Sequence, residues 1–285
     1  MPSETIQWFP GHMAKTRRLI TECLPLVDAV IEMLDARIPI SSENPEIARL
    51  TQNKPRLTVL SKSSLADVRV NEMWKKSFAQ NGRSAIFIDC ITGEGMNTIA
   101  PAIKELLSEK VENYERKGMI GRTLKAMVVG IPNVGKSSLI NKLSGNKKTK
   151  VEDRPGVTLT KQWVTTSIGI DLLDMPGVLW PKFDDQLVGE ALAITGAIKD
   201  KILDTESIAM KLCGKLRKFY PELLAERYKL GDITSQENNR ELFELIGRKR
   251  GFLISGGEID TERTAAVLLD EFRAAKIGRI SLERP

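Results

Sequence analysis

One histidine, three cysteines and a 5% aromatic content are little for 285 residues. With so few nitrogen and sulfur ligands, most His- or Cys-coordinated metal centres are excluded, and Cys23, Cys90 and Cys213 are odd in number and too scattered for a disulfide framework. No apolar run approaches the roughly 18 residues that cross a bilayer. Nothing at the N-terminus reads as a cleavable signal, so the expectation is a chain in the reducing cytoplasm, not associated with membranes. What is present is a 41% hydrophobic content and a net charge of +6 with no basic tail to account for it. At about 150 residues per domain, the length gives one large domain and a smaller one.

Six segments read as strands by their β-branched and apolar content: Asp28–Asp35, Arg56–Leu60, Ala85–Asp89, Lys125–Ile131, Gln162–Thr166 and Ile170–Asp174. Several are continuous apolar runs, as parallel strands covered on both faces require. Helical patterns fall between them at Pro45–Thr51, Val70–Gln80, Asn97–Lys117 and Lys136–Leu143, which predicts an α/β sheet. The last two strands, separated only by Ser167–Gly169, read as a hairpin, so one edge is antiparallel. Beyond residue 200 the pattern is helical: Ile208, Leu212, Leu216 and Phe219 share one face, and Ala265, Leu268, Leu269 and Phe272 repeat it behind a capping Asp260. Trp8–His12 precedes an amphipathic helix over Met13–Leu24.

GIPNVGKSS (Gly130–Ser138) has the spacing GxxxxGKS between a strand and a helix. Glycines at 130 and 135 let the backbone wrap a phosphate; Asn133, Val134, Gly135, Lys136, Ser137 and Ser138 supply N–H groups, an ammonium and a hydroxyl to it. Lys136 would reach the β- and γ-phosphates and Ser137 would ligate Mg²⁺. DMPG (Asp174–Gly177) ends a later strand, where Asp174 can hold an Mg²⁺-bound water and the Gly177 N–H can meet the γ-phosphate. Thr158, in the loop between, is a candidate to complete the Mg²⁺ shell or a solvated hydroxyl.

Guanine-nucleotide domains present the phosphate loop first and the base-reading NKxD and SA segments last. Here the candidates for the last two come early: Ser61-Lys62-Ser63-Ser64 after the second strand, and Asp89-Cys90 after the third. The motif order is 4-5-1-2-3. That order, with QWFPGHM (Gln7–Met13), DARIP (Asp35–Pro39), DMPGVLWPKF (Asp174–Phe183) and TGAIKD (Thr195–Asp200), resembles the circularly permuted GTPases of the YlqF/RbgA type. The resemblance covers essentially the whole chain. It implies a permuted P-loop GTPase domain over residues 26–200, built on a mostly parallel six-stranded sheet, an N-terminal segment at 1–25 and a small all-helical rRNA-binding domain at 201–285. It further implies a GTP/GDP-dependent, monomeric factor that docks on the precursor of the large ribosomal subunit, touching rRNA and ribosomal proteins, and turns over faster when bound there.

Two departures matter. The Asp of NKxD is Ser64 and its Asn is Ser61, so the charged acceptor for guanine is absent from its usual place; Asp67, three residues on, would need a shifted turn to replace it. This opens an alternative, a non-catalytic or base-indiscriminate nucleotide-binding rRNA scaffold. Val178 stands where many GTPases place a water-orienting Gln. The resemblance assigns catalysis to His12, whose ordinary pKa suits proton handling. Asn133 matches the asparagine that helps hold K⁺ in potassium-activated GTPases, or is a turn-forming residue. Lys211, Lys215, Arg217 and Lys218 on one helix, and Arg248, Lys249 and Arg250 on another segment, are either solvated faces or phosphate contacts to structured rRNA.

Overall fold

The computed structural model describes residues 10–119, 121–145, 162–180, 183, 185–233 and 238–285, with side chains from residue 14 onward. Six strands form one sheet: β1 (Ala29–Asp35), β2 (Arg56–Ser61), β3 (Ala85–Phe87), β4 (Leu124–Gly130), β5 (Gln162–Thr165) and β6 (Ile170–Asp174). Their order is β3-β2-β1-β4-β6-β5, all parallel except the β5–β6 hairpin. The parallel pairs agree with the continuous apolar runs. Every residue of β1 is buried, because the period of two sends Ala29, Ile31 and Met33 to one layer and Val30 and Leu34 to the other.

Helices cover both faces: α1 (Pro10–Cys23), α2 (Pro45–Thr51), α3 (Val68–Gln80), α4 (Ile99–Leu106), α5 (Ser108–Arg116) and α6 (Lys136–Ser144). Helix α1 begins three residues earlier than its apolar pattern and seats Ile20 and Cys23 on Met127, Val129, Leu173 and Met175, the strands that carry the phosphate loop and Asp174. Helix α3 starts at Val68 because the Asp67 side chain caps it, accepting from the Arg69 N–H at 2.8 Å. The single helix expected over Asn97–Lys117 is divided at Leu107 into α4 and α5. Strand β3 is two residues shorter than its pattern, since the Asp89 carboxylate accepts from Ile91 N at 2.7 Å and Thr92 N at 2.9 Å and turns the chain.

The rest is helical: α7 (Gln186–Ile194), α8 (Thr205–Phe219), α9 (Pro221–Tyr228), α10 (Asn239–Lys249) and α11 (Thr261–Arg273). The two apolar faces read from sequence meet: Ile208, Leu212 and Leu216 of α8 and Ala265, Leu268, Leu269 and Phe272 of α11 share one buried cluster, continuous with the sheet's core. Asp260 caps α11 through the Arg263 N–H at 2.9 Å.

After α11 the chain returns to the sheet. Ile280 N donates to Leu65 O at 3.0 Å, Asp67 N to Ser281 Oγ at 3.1 Å and Leu282 N to Arg37 O at 2.9 Å. The Glu283 carboxylate accepts from Ile40 N at 2.7 Å. No sequence periodicity announces this strap.

Candidate nucleotide site

In an open parallel sheet, ligands bind outside the carboxyl ends of the strands. The register aligns those ends here: Asp35 lies beside Ser61, Met33 beside Gly130, and Val128 beside Asp174. The phosphate loop leaves β4 at Gly130, whose φ of 153° and close approach to β1 both require glycine; a Cβ would lie 2.6 Å from the Met33 carbonyl oxygen. Asn133 and Gly135 adopt left-handed φ values of 56° and 103°, so the chain curls before α6. Lys136 is buried and folds over the loop, donating to Gly130 O at 3.2 Å and Ile131 O at 2.7 Å. Burial lowers its pKa, with nearby Lys62 adding and Asp174 opposing.

The DMPG segment packs onto this loop. A Cβ at Gly177 would meet Lys136 Nζ at 2.7 Å and Pro132 Cα at 2.9 Å, so the glycine is what permits the contact. Val178 N donates to Gly130 O at 3.3 Å, and Asn44 Nδ2 donates to Val178 O at 3.0 Å. The Val178 side chain is buried and offers water nothing. The Asp174 carboxyl group is fully buried and acts electrostatically on Lys136. A hard oxygen donor of this kind, together with the half-buried Ser137 in the first turn of α6, fits Mg²⁺ completed by phosphate and water oxygens. Among the described residues no cluster of three His, Cys, Asp or Glu side chains offers a separate metal centre.

The base-side loop follows β2. Ser61 Oγ lies 2.6 Å from Val134 O and 3.0 Å from Leu34 O, tying this loop to the phosphate loop. Lys62, at φ 59°, places Nζ 3.0 Å from Asp35 Oδ2. Asp35 also accepts from Arg37 Nη2 at 2.7 Å; burial works to raise its carboxyl pKa, but Arg37 and Lys62 outweigh it and hold the group far below the usual carboxylate range. The Ser63 carbonyl accepts from Asn71 Nδ2 and from Arg279 Nη2. The Ser64 hydroxyl donates to Asp89 Oδ2. Burial would raise Asp89, yet the hydrogen bonds from Ser64, Thr92 and Ile91 prevail and lower it. Burial pushes the neighbouring Cys90 thiol up to about 11, which leaves it unreactive as a nucleophile at neutral pH.

Most of the residues singled out in sequence are thus on one sheet edge. His12 lies in the first turn of α1, with its side chain outside the described residues, as is Thr158 altogether. The basic set is divided. Lys211 pairs with Glu190 at 2.8 Å, Arg250 pairs with Glu271, and Lys215 faces the Glu283 carboxylate. Arg217 is half-buried near Cys213. Lys218, Arg248 and Lys249 are exposed. Asn133 Nδ2 donates to Gly196 O at 2.8 Å, a link from the phosphate loop to the segment after α7. Asn44, Arg279 and Glu283 were not anticipated; their partners lie far away in sequence, and only Asn44, in a capping position before Pro45, carried a local signal.

Known proteins share this arrangement. A family model described as "50S ribosome-binding GTPase" matches residues 125–215. Ribosome biogenesis GTPase A of Bacillus cereus is 50% identical over 98% of this chain and 94% of its own length, and that of Bacillus licheniformis is 49% identical over 98% of both. The structure of GNP-bound YlqF from T. maritima superposes with a TM-score of 0.66 at 27% identity, covering 95% of this chain and 98% of that one. These relatives match over nearly the whole chain, and the chain belongs to the ribosome biogenesis GTPase A family.

Proposed function

We propose that this GTPase, which converts GTP to GDP and phosphate, serves as an assembly factor for the large ribosomal subunit and is slow until it binds there. One observation supports the reading: the phosphate loop is joined on one side to Gly177 and Gly196 and on the other to Ser61, while the region beyond residue 200 reaches both flanks, through Arg273 on the carbonyls of Ala193 and Ile194 and through Arg279 on that of Ser63. A change in the phosphates would thereby reach the helical region, a loop switch coupled to a rigid body. The permuted domain at 26–200 and the helical rRNA-binding domain at 201–285 are the two parts in this reading.

Mg²⁺ would be held by Ser137, by Thr158 and, through water, by Asp174; when bound it neutralises charge on the β- and γ-oxygens. Lys136 neutralises the same charge from the protein side. K⁺ would sit against Asn133 through Oδ1, the amide's acceptor, while Nδ2 keeps its bond to Gly196. Since Val178 carries no polar side-chain group, the water-orienting role falls to His12. Lys218, Arg248 and Lys249 face solvent for rRNA phosphates, as does Arg250 beside its pair with Glu271. In this reading the factor acts as a monomer in the cytoplasm; among the described residues no helix is long and apolar enough to cross a membrane.

Family membership makes the chain a GTPase, so what survives of the scaffold alternative is weak base selectivity. The test is sedimentation with large ribosomal subunits in the presence of a non-hydrolysable GTP analogue or of GDP. Retention with the analogue and release with GDP is expected; equal behaviour with both nucleotides contradicts the coupling.

A further inference from the structure

The base-side loop lacks the aspartate that usually meets guanine, but it does not lack a carboxylate. Three carboxylates are near enough to be asked. Asp35 is committed to Arg37 and Lys62, and Asp67 is committed to capping α3. Asp89, from the loop after β3, is directed at Ser64 and accepts its hydroxyl proton.

Asp89 itself has little left to offer a ligand. A carboxylate has about four lone-pair sites. Ile91 N, Thr92 N, Ser64 Oγ and the Ser64 N–H use them. The side chain is 2% exposed, whereas Ser64 is half-buried at the rim. With its only proton held by Asp89, the Ser64 hydroxyl can meet a further partner only as an acceptor, polarised by the neighbouring carboxylate.

The location suits a base. Phosphates at the end of β4 lie two strand spacings from the end of β2, about 10 Å, a span a nucleoside diphosphate bridges. Guanine presents two adjacent donors on the edge to be read, N1–H and the exocyclic N2–H₂. Xanthine replaces the second with a carbonyl acceptor, and hypoxanthine with a C–H.

We propose that Ser64 and Asp89 form a relay that reads guanine, with Ser64 Oγ accepting from the base and Asp89 as the positioning residue that fixes the hydroxyl as an acceptor. This rests on the reading of residues 61–64 as the base side of the GTP site. The geometry then restores, from two loops, the acceptor that the motif has lost. Asp89→Asn gives up the bond from the Ser64 N–H and reverses the polarity at the hydroxyl: its Oδ1 keeps the turn to Ile91 and Thr92, its Nδ2 donates to Ser64 Oγ, and the hydroxyl proton becomes free to meet the xanthine carbonyl.

The experiment is calorimetric titration of GDP, IDP and XDP with Mg²⁺ into the full chain, Asp89→Asn and Ser64→Ala. The unmodified protein is expected to prefer GDP over both others by tenfold or more. Ser64→Ala, which leaves the Asp89 turn in place, should bring the three affinities within about threefold, and Asp89→Asn should place XDP ahead of GDP. An unchanged ranking in both variants, or a uniform loss for all three nucleotides, overturns the relay. Failure of the unmodified protein to bind any of them overturns the nucleotide site itself, a distinguishable result.

Discussion

Arg279 Nη2 donates to the Ser63 carbonyl oxygen at 2.9 Å, while its Nε donates to Ala66 O at 2.9 Å. The end of the chain thus grips the loop assigned to the base. The chain after DMPG leads through α7 into the helical region; the strap adds a second attachment, at the loop assigned to the base.

Arg279→Ala should therefore affect nucleotide exchange more than folding. Losing two charge-assisted bonds at an exposed position costs about 1–2 kcal/mol of stability. GDP release, followed by stopped-flow chase of a fluorescent analogue, should accelerate several-fold. An unchanged release rate would show that the strap does not constrain the base loop.

Gly177→Ala pushes a methyl group into Lys136 Nζ and the Pro132 backbone. The backbone cannot yield as the lysine can, so the DMPG segment should move away from the phosphate loop. GTP affinity is expected to fall about tenfold, equivalent to about 1.4 kcal/mol, with a smaller loss for GDP. Equal losses would mean that the segment does not sense the γ-phosphate.

Restoring the missing motif residue should fail on its own. Ser64→Asp sets a second carboxylate against Asp89, and like charges at hydrogen-bond distance cannot both stay ionised cheaply. GDP binding should weaken in Ser64→Asp and recover in the double variant Ser64→Asp with Asp89→Asn, as read by the same titration.

Glu32 gives a pH dependence. It is buried in β1 with Arg56 at 3.2 Å and Arg83 at 3.9 Å, and burial raises its carboxyl to about 7 from 4.5, with Glu43 adding to the rise and the two arginines opposing it. The folded state therefore holds this proton more tightly than the unfolded chain. Its contribution is fully present below pH 4.5 and is lost as pH rises to about 7. Denaturant unfolding between pH 5 and pH 8 should show a downward slope that Glu32→Gln removes.

What could be read ahead of the structure was local. The phosphate loop announces itself because its glycines, lysine and serine must be contiguous between a strand and a helix. The buried faces of α8 and α11 follow from a repeat of 3.6. The Ser64–Asp89 contact joins loops on two strands, and the strap at Ile280–Glu283 is a short extended segment without periodicity, so neither leaves a pattern in the chain. The Asp67 cap was legible in type, since aspartate before an apolar helix is a start signal, yet the apolar period alone put the start two residues late.

In the proposed function, bound large subunits supply what Val178 cannot, by way of His12. The direct measurement is steady-state GTP turnover of the unmodified protein and of His12→Ala, each with and without large ribosomal subunits. Strong stimulation of the unmodified protein, its loss in His12→Ala, and nearly equal GDP affinity for both are expected. Turnover that is indifferent to subunits, or stimulation that survives His12→Ala, would contradict the proposed function.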